Sequence, residues 1–215
     1  MRNLTPLNAV SGQMARFISS ASFVLILCLG LVPHRTKATT VVPPEFDSLV
    51  SQADYVVHTV VKSVTSELQV NQGQKRIVTF VTVQIRDVIT GNPPDTLVLQ
   101  MLGGTVGNET MFVEGAPQFQ IGDEDILFIH GNGSQLSPLV AIMHGRYPVV
   151  HDPKSNNDYV ARNNGLPLFS EQEVSLSMEQ TSNHPAGAVP LTKEQFINRI
   201  RQSHQSSSNR NQTER

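Results

Sequence analysis

Arg76-Ile-Val-Thr-Phe-Val-Thr-Val-Gln-Ile-Arg-Asp-Val-Ile89 is the stretch that decides the fold, because it carries the strongest β-strand pattern in the chain. Alternating residues place one face of the predicted strand on Ile77, Thr79, Val81, Val83 and Ile85. Val78 and Phe80 make the opposite face apolar as well. We therefore expect this strand to be covered on both sides or bulged.

Weaker β patterns lie on either side of this strand. They are Tyr55–Val64, Thr96–Leu102, Asp125–His130 and a fifth strand made of Leu139–His144 and Tyr147–Val150, broken at Gly145. Glu45–Gln52 has apolar residues at helical spacing, and Thr192 can cap a second helix. The pattern predicts a mainly β protein: a five-stranded, OB-like antiparallel barrel with a short N-terminal helix and a C-terminal helix.

The first 38 residues have the pattern of an export signal. The apolar run Phe17–Pro33 follows Arg16, and the small residues of Thr36-Lys37-Ala38 predict cleavage after Ala38. Met14 is an alternative start, and a permanent N-terminal anchor is the alternative interpretation of the run. The interpretation as a signal predicts a secreted or periplasmic protein with no stable membrane insertion after the signal is removed.

The composition divides the chain into five parts. We expect a signal peptide at 1–38, the β-barrel domain at 39–165, a linker at 166–191, the C-terminal helix at 192–204 and a disordered tail at 205–215. The linker and the tail are predicted from their content of Ser, Gln, Glu and Pro. The barrel segment is long enough to bury a hydrophobic core without disulfides.

Charge and cysteine usage exclude several kinds of chemistry. The chain has 16 basic and 18 acidic residues, and four of the basic ones lie in the signal, which has no acid. The remaining 12 basic and 18 acidic residues make the body acidic, so we expect no nucleic-acid partner. The only cysteine, Cys28, lies in the signal, which excludes thiol catalysis, cysteine-ligated zinc and disulfides in the mature chain. We expect no cofactor.

Other polar groups allow alternative hypotheses. His130 and His144 end neighbouring predicted strands and could form a metal-dependent hydrolase site with nearby carboxylates. An oligosaccharide-binding module is a further alternative, although such faces use exposed aromatic residues and this chain has no Trp and three Tyr. The acidic run Asp123–Asp125 is interpreted as a solvated turn, and Gly103–Gly107 as a loop with positive φ angles at a barrel corner.

Several short motifs resemble a known family. They are Val42-Pro43-Pro44, Ala53-Asp-Tyr-Val-Val57 and Asp87-Val-Ile-Thr-Gly91. Their order resembles the netrin-like module, the OB-fold of tissue inhibitors of metalloproteinases, over about residues 42–150. Gly103-Gly104 and Gly122-Asp-Glu-Asp-Ile-Leu-Phe128 are similar to segments of uncharacterised exported bacterial proteins.

The resemblance implies a non-enzymatic protein that binds a partner through its mature N-terminus. The binding segment would be Thr39, Thr40, Val41, Val42, Pro43 and Pro44. By the family's pattern the amine of Thr39 would ligate the catalytic zinc of an exported metalloprotease, and Thr40 would enter the specificity pocket. An α-amine titrates near pH 8, so its neutral form is accessible. The family pins this segment with cysteines, which the mature chain lacks.

Overall fold

A computed structural model describes residues 42–71, 73–132 and 135–213. The described residues belong to one compact unit. The predicted signal at 1–38 and the residues Thr39, Thr40 and Val41 lie outside the described residues. These predictions therefore stay predictions.

The described chain is mainly β, with one helix near each end. Its helices are α1 (Phe46–Gln52) and α2 (Lys193–Thr213). Its strands are β1 (Tyr55–Asn71), β2 (Gln74–Gly91), β3 (Leu97–Leu102), β4 (Gly104–Val106), β5 (Glu109–Met111), β6 (Glu124–Ile129), β7 (Arg146–Asp152) and β8 (Asn157–Val160). Two 3-10 turns, Ile142–Gly145 and Glu171–Ser175, complete the described secondary structure.

Six strands form one antiparallel sheet in the order β3-β2-β1-β6-β7-β8, and β4 pairs with β5 in a small separate hairpin. β1 lies near the centre because it pairs along its length with β2 and, over Tyr55–Val60, with β6. The mainly β class, the antiparallel pairing and the two helices are confirmed.

The predicted closed barrel is wrong, because the sheet is open. The side of β6 that faces away from β1 pairs with β7, and β7 pairs in turn with β8. The chain thus extends the sheet instead of returning to β3. The loop that follows β6 lies in space between β3 and the end of β6. Its Ser137 amide donates to the carbonyl of Gln100 on β3 at 2.7 Å, and the amide of His130, just after β6, donates to the carbonyl of Pro138 at 2.7 Å.

The predicted strand Leu139–His144 is also wrong. Leu139 makes only an isolated bridge with Ile129. Ala141 and Ile142 then adopt φ angles of 48° and 54°, in the left-handed region, and lead into the first 3-10 turn. A left-handed pair of residues cannot continue a pleated strand, so the fifth predicted strand begins only at Arg146.

The bulging expected of the second strand is confirmed. The ladder between β1 and β2 has register shifts at Val56/Val57, His58/Thr59 and Val61/Ser63. Apolar side chains cover both faces of the sheet. One cluster contains Phe46, Leu49, Val56, Ile126, Phe128, Tyr147, Phe196 and Ile200. The other contains Val57, Val81, Leu97, Leu99, Met101, Phe119, Leu127 and Leu139.

The segment predicted as a linker packs into the fold. Leu168, Val174 and Leu191 are buried in the cluster beneath the helices. The amide of Leu168 donates to Val160 at 2.9 Å, and the buried guanidinium of Arg162 donates to the carbonyls of Leu176 and Gln180 at 2.7 and 2.8 Å. These three buried residues are widely spaced along a stretch rich in Ser, Glu, Gln and Pro and follow no helical or strand period, so the composition did not indicate that the segment packs.

The C-terminal helix is longer than the predicted 192–204, since α2 continues to Thr213 through residues predicted to be a disordered tail. Its apolar anchors Phe196, Ile197 and Ile200 lie in the first half. The later polar residues stay helical, with the hydroxyl groups of Ser206 and Ser208 donating to carbonyls one turn earlier.

Replacing Phe196 by Ala is expected to destabilise the fold by about 3–5 kcal/mol, because a large cavity would open in the core. Phe196 is fully buried, and its ring centroid lies 5.0 Å from that of Tyr147 and 5.8 Å from that of Phe46. Urea denaturation measures the change. Val88→Ala, at an exposed site, is the control and is expected to cost less than about 0.5 kcal/mol. Equal effects of the two changes would contradict this packing.

Candidate functional site

The predicted binding segment reaches the described chain at Val42-Pro43-Pro44, called here the proline segment. Val42 is 80% exposed, whereas both prolines are partly buried. The carboxylate of Glu45, the next residue, accepts a hydrogen bond from the Ser175 hydroxyl at 2.9 Å. The end of the proline segment is therefore fixed on the fold while Val42 remains open to solvent.

A polar groove of about 760 Å³ lies beside the proline segment, between α1, the second 3-10 turn and α2. Three carboxylates, those of Glu45, Asp47 and Glu171, line it. Arg199 forms an ion pair with Glu171, and the Ser203 hydroxyl donates to Asp47 at 2.6 Å. These contacts tie the three walls of the groove together and leave it with an excess of negative charge.

The α2 wall of the groove presents side-chain amides. Gln195, Asn198 and Gln202 line the groove at spacings of three and four residues, which places them on one face of the helix. Each amide can both donate and accept hydrogen bonds. The groove can thus bind a polar surface of a partner, and its net charge favours one with basic groups.

A second polar centre joins five elements of the fold. Nε2 of His58 lies 2.6 Å from the Glu124 carboxylate, and the Lys193 ammonium lies 3.4 Å from the same carboxylate. Lys193 also donates to Asp158 at 2.8 Å, and the other oxygen of Asp158 lies 3.0 Å from Nδ1 of His151. This charge network connects β1, β6, β7 and β8 to the first turn of α2.

The network lowers the pKa of one carboxyl group. The hydrogen bond from Lys193, and then the one from His151, hold the pKa of Asp158 below its ordinary value. The ammonium group of Lys193 is largely covered, with 18% of the side chain exposed. Its role in the described chain is to fix the start of α2 on the sheet.

The acidic run is not the solvated turn predicted from sequence. Asp125 is fully buried on β6, and its carboxylate accepts from Nε of Arg146 at 2.7 Å. The same guanidinium donates to Asp123 at 2.7 Å, and its carbon lies 4.4 Å from the ring centroid of Phe119. Arg146 thus compensates the buried charge and holds the loop before β6 against the sheet.

His130 and His144 have different surroundings. His130 is exposed, with Nδ1 3.5 Å from the Asp54 carboxylate. His144 is 2% exposed in the first 3-10 turn, and its Nδ1 has no hydrogen-bond partner among the described residues. Burial, and then the charge of Arg162, lower the pKa of His144 below its ordinary value, whereas Glu179 acts in the opposite direction.

The predicted pair of histidines does not form a metal site. Within residues 42–71, 73–132 and 135–213, no group of three or more His, Cys, Asp or Glu side chains is placed to hold a metal ion. The alternative of a metal-dependent hydrolase built on His130 and His144 therefore has no ligand set in this part of the protein.

Neither the groove nor the charge network was predicted from the sequence. The network joins residues as far apart as His58 and Lys193, and only the strand order brings them together. One signal was present: alternation along β6 places Glu124 and Ile126 on one face and Asp125 on the other. A continuous acidic turn was therefore not the only possible interpretation.

Comparison with known proteins gives no relative. No protein family, no curated protein and no solved structure matches this chain. None of the helices in the described part of the chain has the length and apolar character needed to cross a membrane.

Replacing His144 by Leu is expected to flatten the pH dependence of stability below about pH 6.5. The folded state holds this imidazole neutral, so the unfolded chain takes up its proton first as the pH falls, and the wild-type protein loses stability there. The loss of stability between pH 7.5 and pH 5 should therefore be smaller in the variant than in the wild type. Urea titrations at several pH values measure it. Parallel stability curves for the two proteins would contradict the prediction.

Lys193→Met is expected to cost about 0.5–1 kcal/mol at pH 7. Because the pKa of Asp158 is lowered in the fold, its contribution is present above about pH 4 and is lost as the pH falls through the folded pKa. The variant should therefore lose less stability than the wild type between pH 5 and 2. Lys75→Met is the matched control, since Lys75 is exposed and lies 4.0 Å from its partner Glu109. A control with the same effect would refute the role of the network.

Proposed function

We propose that the protein is an exported, non-enzymatic protein that binds a protein partner through its mature N-terminal segment. The observation that supports this most is the geometry of the proline segment. Val42 projects into solvent, while Pro44 and Glu45 are held on the fold beside the polar groove. A segment fixed at one end and open at the other is suited to reach a partner.

The proposed contact uses six residues. Cleavage after Ala38 makes Thr39 the first residue of the mature chain, so that its α-amine can ligate a metal ion in neutral form. Thr40 then enters the specificity pocket, and Val41 and Val42 continue along the cleft. Pro43 and Pro44 restrict the backbone, which lowers the entropy lost on binding.

The anchor of Glu45 takes the place of the family's cysteines in this proposal. The hydrogen bond from Ser175 and the start of α1, where the amide of Leu49 donates to the Glu45 carbonyl at 2.8 Å, fix the chain after the prolines. The partner is an exported zinc-dependent protease. Its cleft would receive the mature N-terminal segment, and the surface of the protease would cover the polar groove.

Inhibition assays with a secreted matrix metalloprotease domain and with thermolysin test the proposal. The chain beginning at Thr39 is expected to inhibit at least one of them. A chain that retains Ala38 is expected to lose at least about 100-fold in affinity, because the blocked amine cannot ligate the metal. N-terminal sequencing of the exported protein should also give Thr39 as the first residue.

The control is a chain with one residue added after Arg215, which leaves the N-terminus intact and should inhibit like the original. Glu45→Gln weakens the anchor without blocking the amine and should weaken inhibition to a smaller degree. Equal inhibition by the free and the blocked N-terminus would exclude this mechanism, as would failure to inhibit either protease.

A further inference from the structure

β1 is much longer than β6, its partner strand on the side away from β2. β6 pairs with it only over Tyr55–Val60. Val61 then exchanges two backbone hydrogen bonds with the loop before β6: its amide donates to Asp123 at 2.9 Å, and its carbonyl accepts from Gly122 at 3.0 Å. In the described part of the chain, Ser63–Asn71 has no strand on this side, and we call these residues the free edge.

The free edge lacks the usual protection against pairing. Edge strands are commonly blocked by Pro, by Lys or by a covering element. Ser63–Asn71 contains no Pro and no Lys, and its single charged residue is Glu67. Leu68 and Val70 on it are 38% and 64% exposed. A register shift at Val61/Ser63 precedes this stretch, and the ladder with β2 is regular from there to Asn71.

The β4–β5 hairpin covers one face of the sheet at the free edge but does not pair with the free edge itself. Thr79 on β2 bonds to the Ser66 hydroxyl at 2.9 Å and donates to the Gly103 carbonyl at 2.6 Å. A Cβ atom on Gly104 would lie 2.3 Å from the Thr79 hydroxyl, so only glycine allows this approach. The positive φ angles predicted for this glycine loop are present, at 102° and 129° for Gly103 and Gly104.

We propose that the free edge pairs with the free edge of a second copy of this chain, antiparallel, with the two-fold axis at Ser66. Seven residues of each copy, Ser63–Gln69, then extend the β1 ladder where β6 ends. Two-fold symmetry is the commonest arrangement of homo-oligomers, and an antiparallel pair of identical strands satisfies it. The two sheets become one continuous sheet.

The side chains favour this register and a second copy as occupant. Val64 meets Leu68 of the second copy, which adds an apolar residue beside the cluster that Val64 already packs against. On the other face the exposed Thr65 meets Glu67 of the second copy. An axis at Glu67 would set two like charges opposite each other, and an axis at Thr65 would pair fewer residues before the register shift.

Introducing a negative or a positive charge at Thr65 tests the proposal. Sedimentation velocity of the chain from Thr39 to Arg215 should show a concentration-dependent dimer. Thr65→Glu places Glu opposite Glu67 twice per dimer and is expected to raise the dissociation constant about tenfold, whereas Thr65→Lys should lower it severalfold. Both residues are exposed, so neither variant disturbs the core of one copy. Higher salt should reduce both effects.

Val88→Glu and Val88→Lys are the matched controls, because Val88 is 43% exposed on β2 away from the free edge. They should leave the dimer unchanged. A spin label on Asn71→Cys measures the register: the two labelled positions are ten residues apart along the paired strands, or about 33 Å. A chain that remains monomeric, a dimer indifferent to the charge at 65, or a much shorter label distance would each overturn the proposal.

Discussion

The structure depends on the burial of both faces of one sheet. β1 and β2 contribute apolar side chains to the cluster under the helices and to the opposite cluster, as the adjacent residues Val56 and Val57 show. A sheet covered on both sides needs an element for each side. The two helices cover one face, and the segment between β3 and β6, with Phe119, covers the other. The separate small hairpin and the long loops follow from this requirement.

The strands β1, β2, β3 and β6 were predictable because each has its own local pattern, and apolar residues on both faces of β2 indicated burial on both sides or bulging. Closure was not predictable, because it depends on which strand meets the outer edge of β3. The outer edge of β3 contacts the loop after β6 at Ser137 and not a strand. No strand forms there because Ala141 and Ile142 adopt left-handed backbone conformations that end the extended chain. Backbone reversals at Ala and Ile have no sequence signature of the kind that glycine provides.

The candidate sites divide in the same way into features with a local sequence pattern and features that depend on distant contacts. The proline segment is visible in the sequence because Pro restricts the backbone on its own. The region around the groove is held by partners more than 100 residues apart, as in the contact between Glu45 and Ser175, and the charge network joins partners up to 69 residues apart, Glu124 and Lys193. Buried charges such as Asp125 are invisible to composition, because a carboxylate is buried only where a specific guanidinium compensates it, here that of Arg146.

The two proposed contacts lie on different parts of one scaffold and make different demands on it. The N-terminal contact requires a fixed base, which α1, Glu45 and Ser175 supply, and a free end beyond Val42. The β1 contact requires only an unpaired backbone edge that is already rigid through its ladder with β2. The proposed two-fold axis at Ser66 lies in the arm beyond β6, whereas the proline segment precedes α1, which packs against α2. Pairing at the free edge would therefore leave the proline segments free and give the dimer two of them, so that a partner with two sites would bind more tightly than through either segment alone.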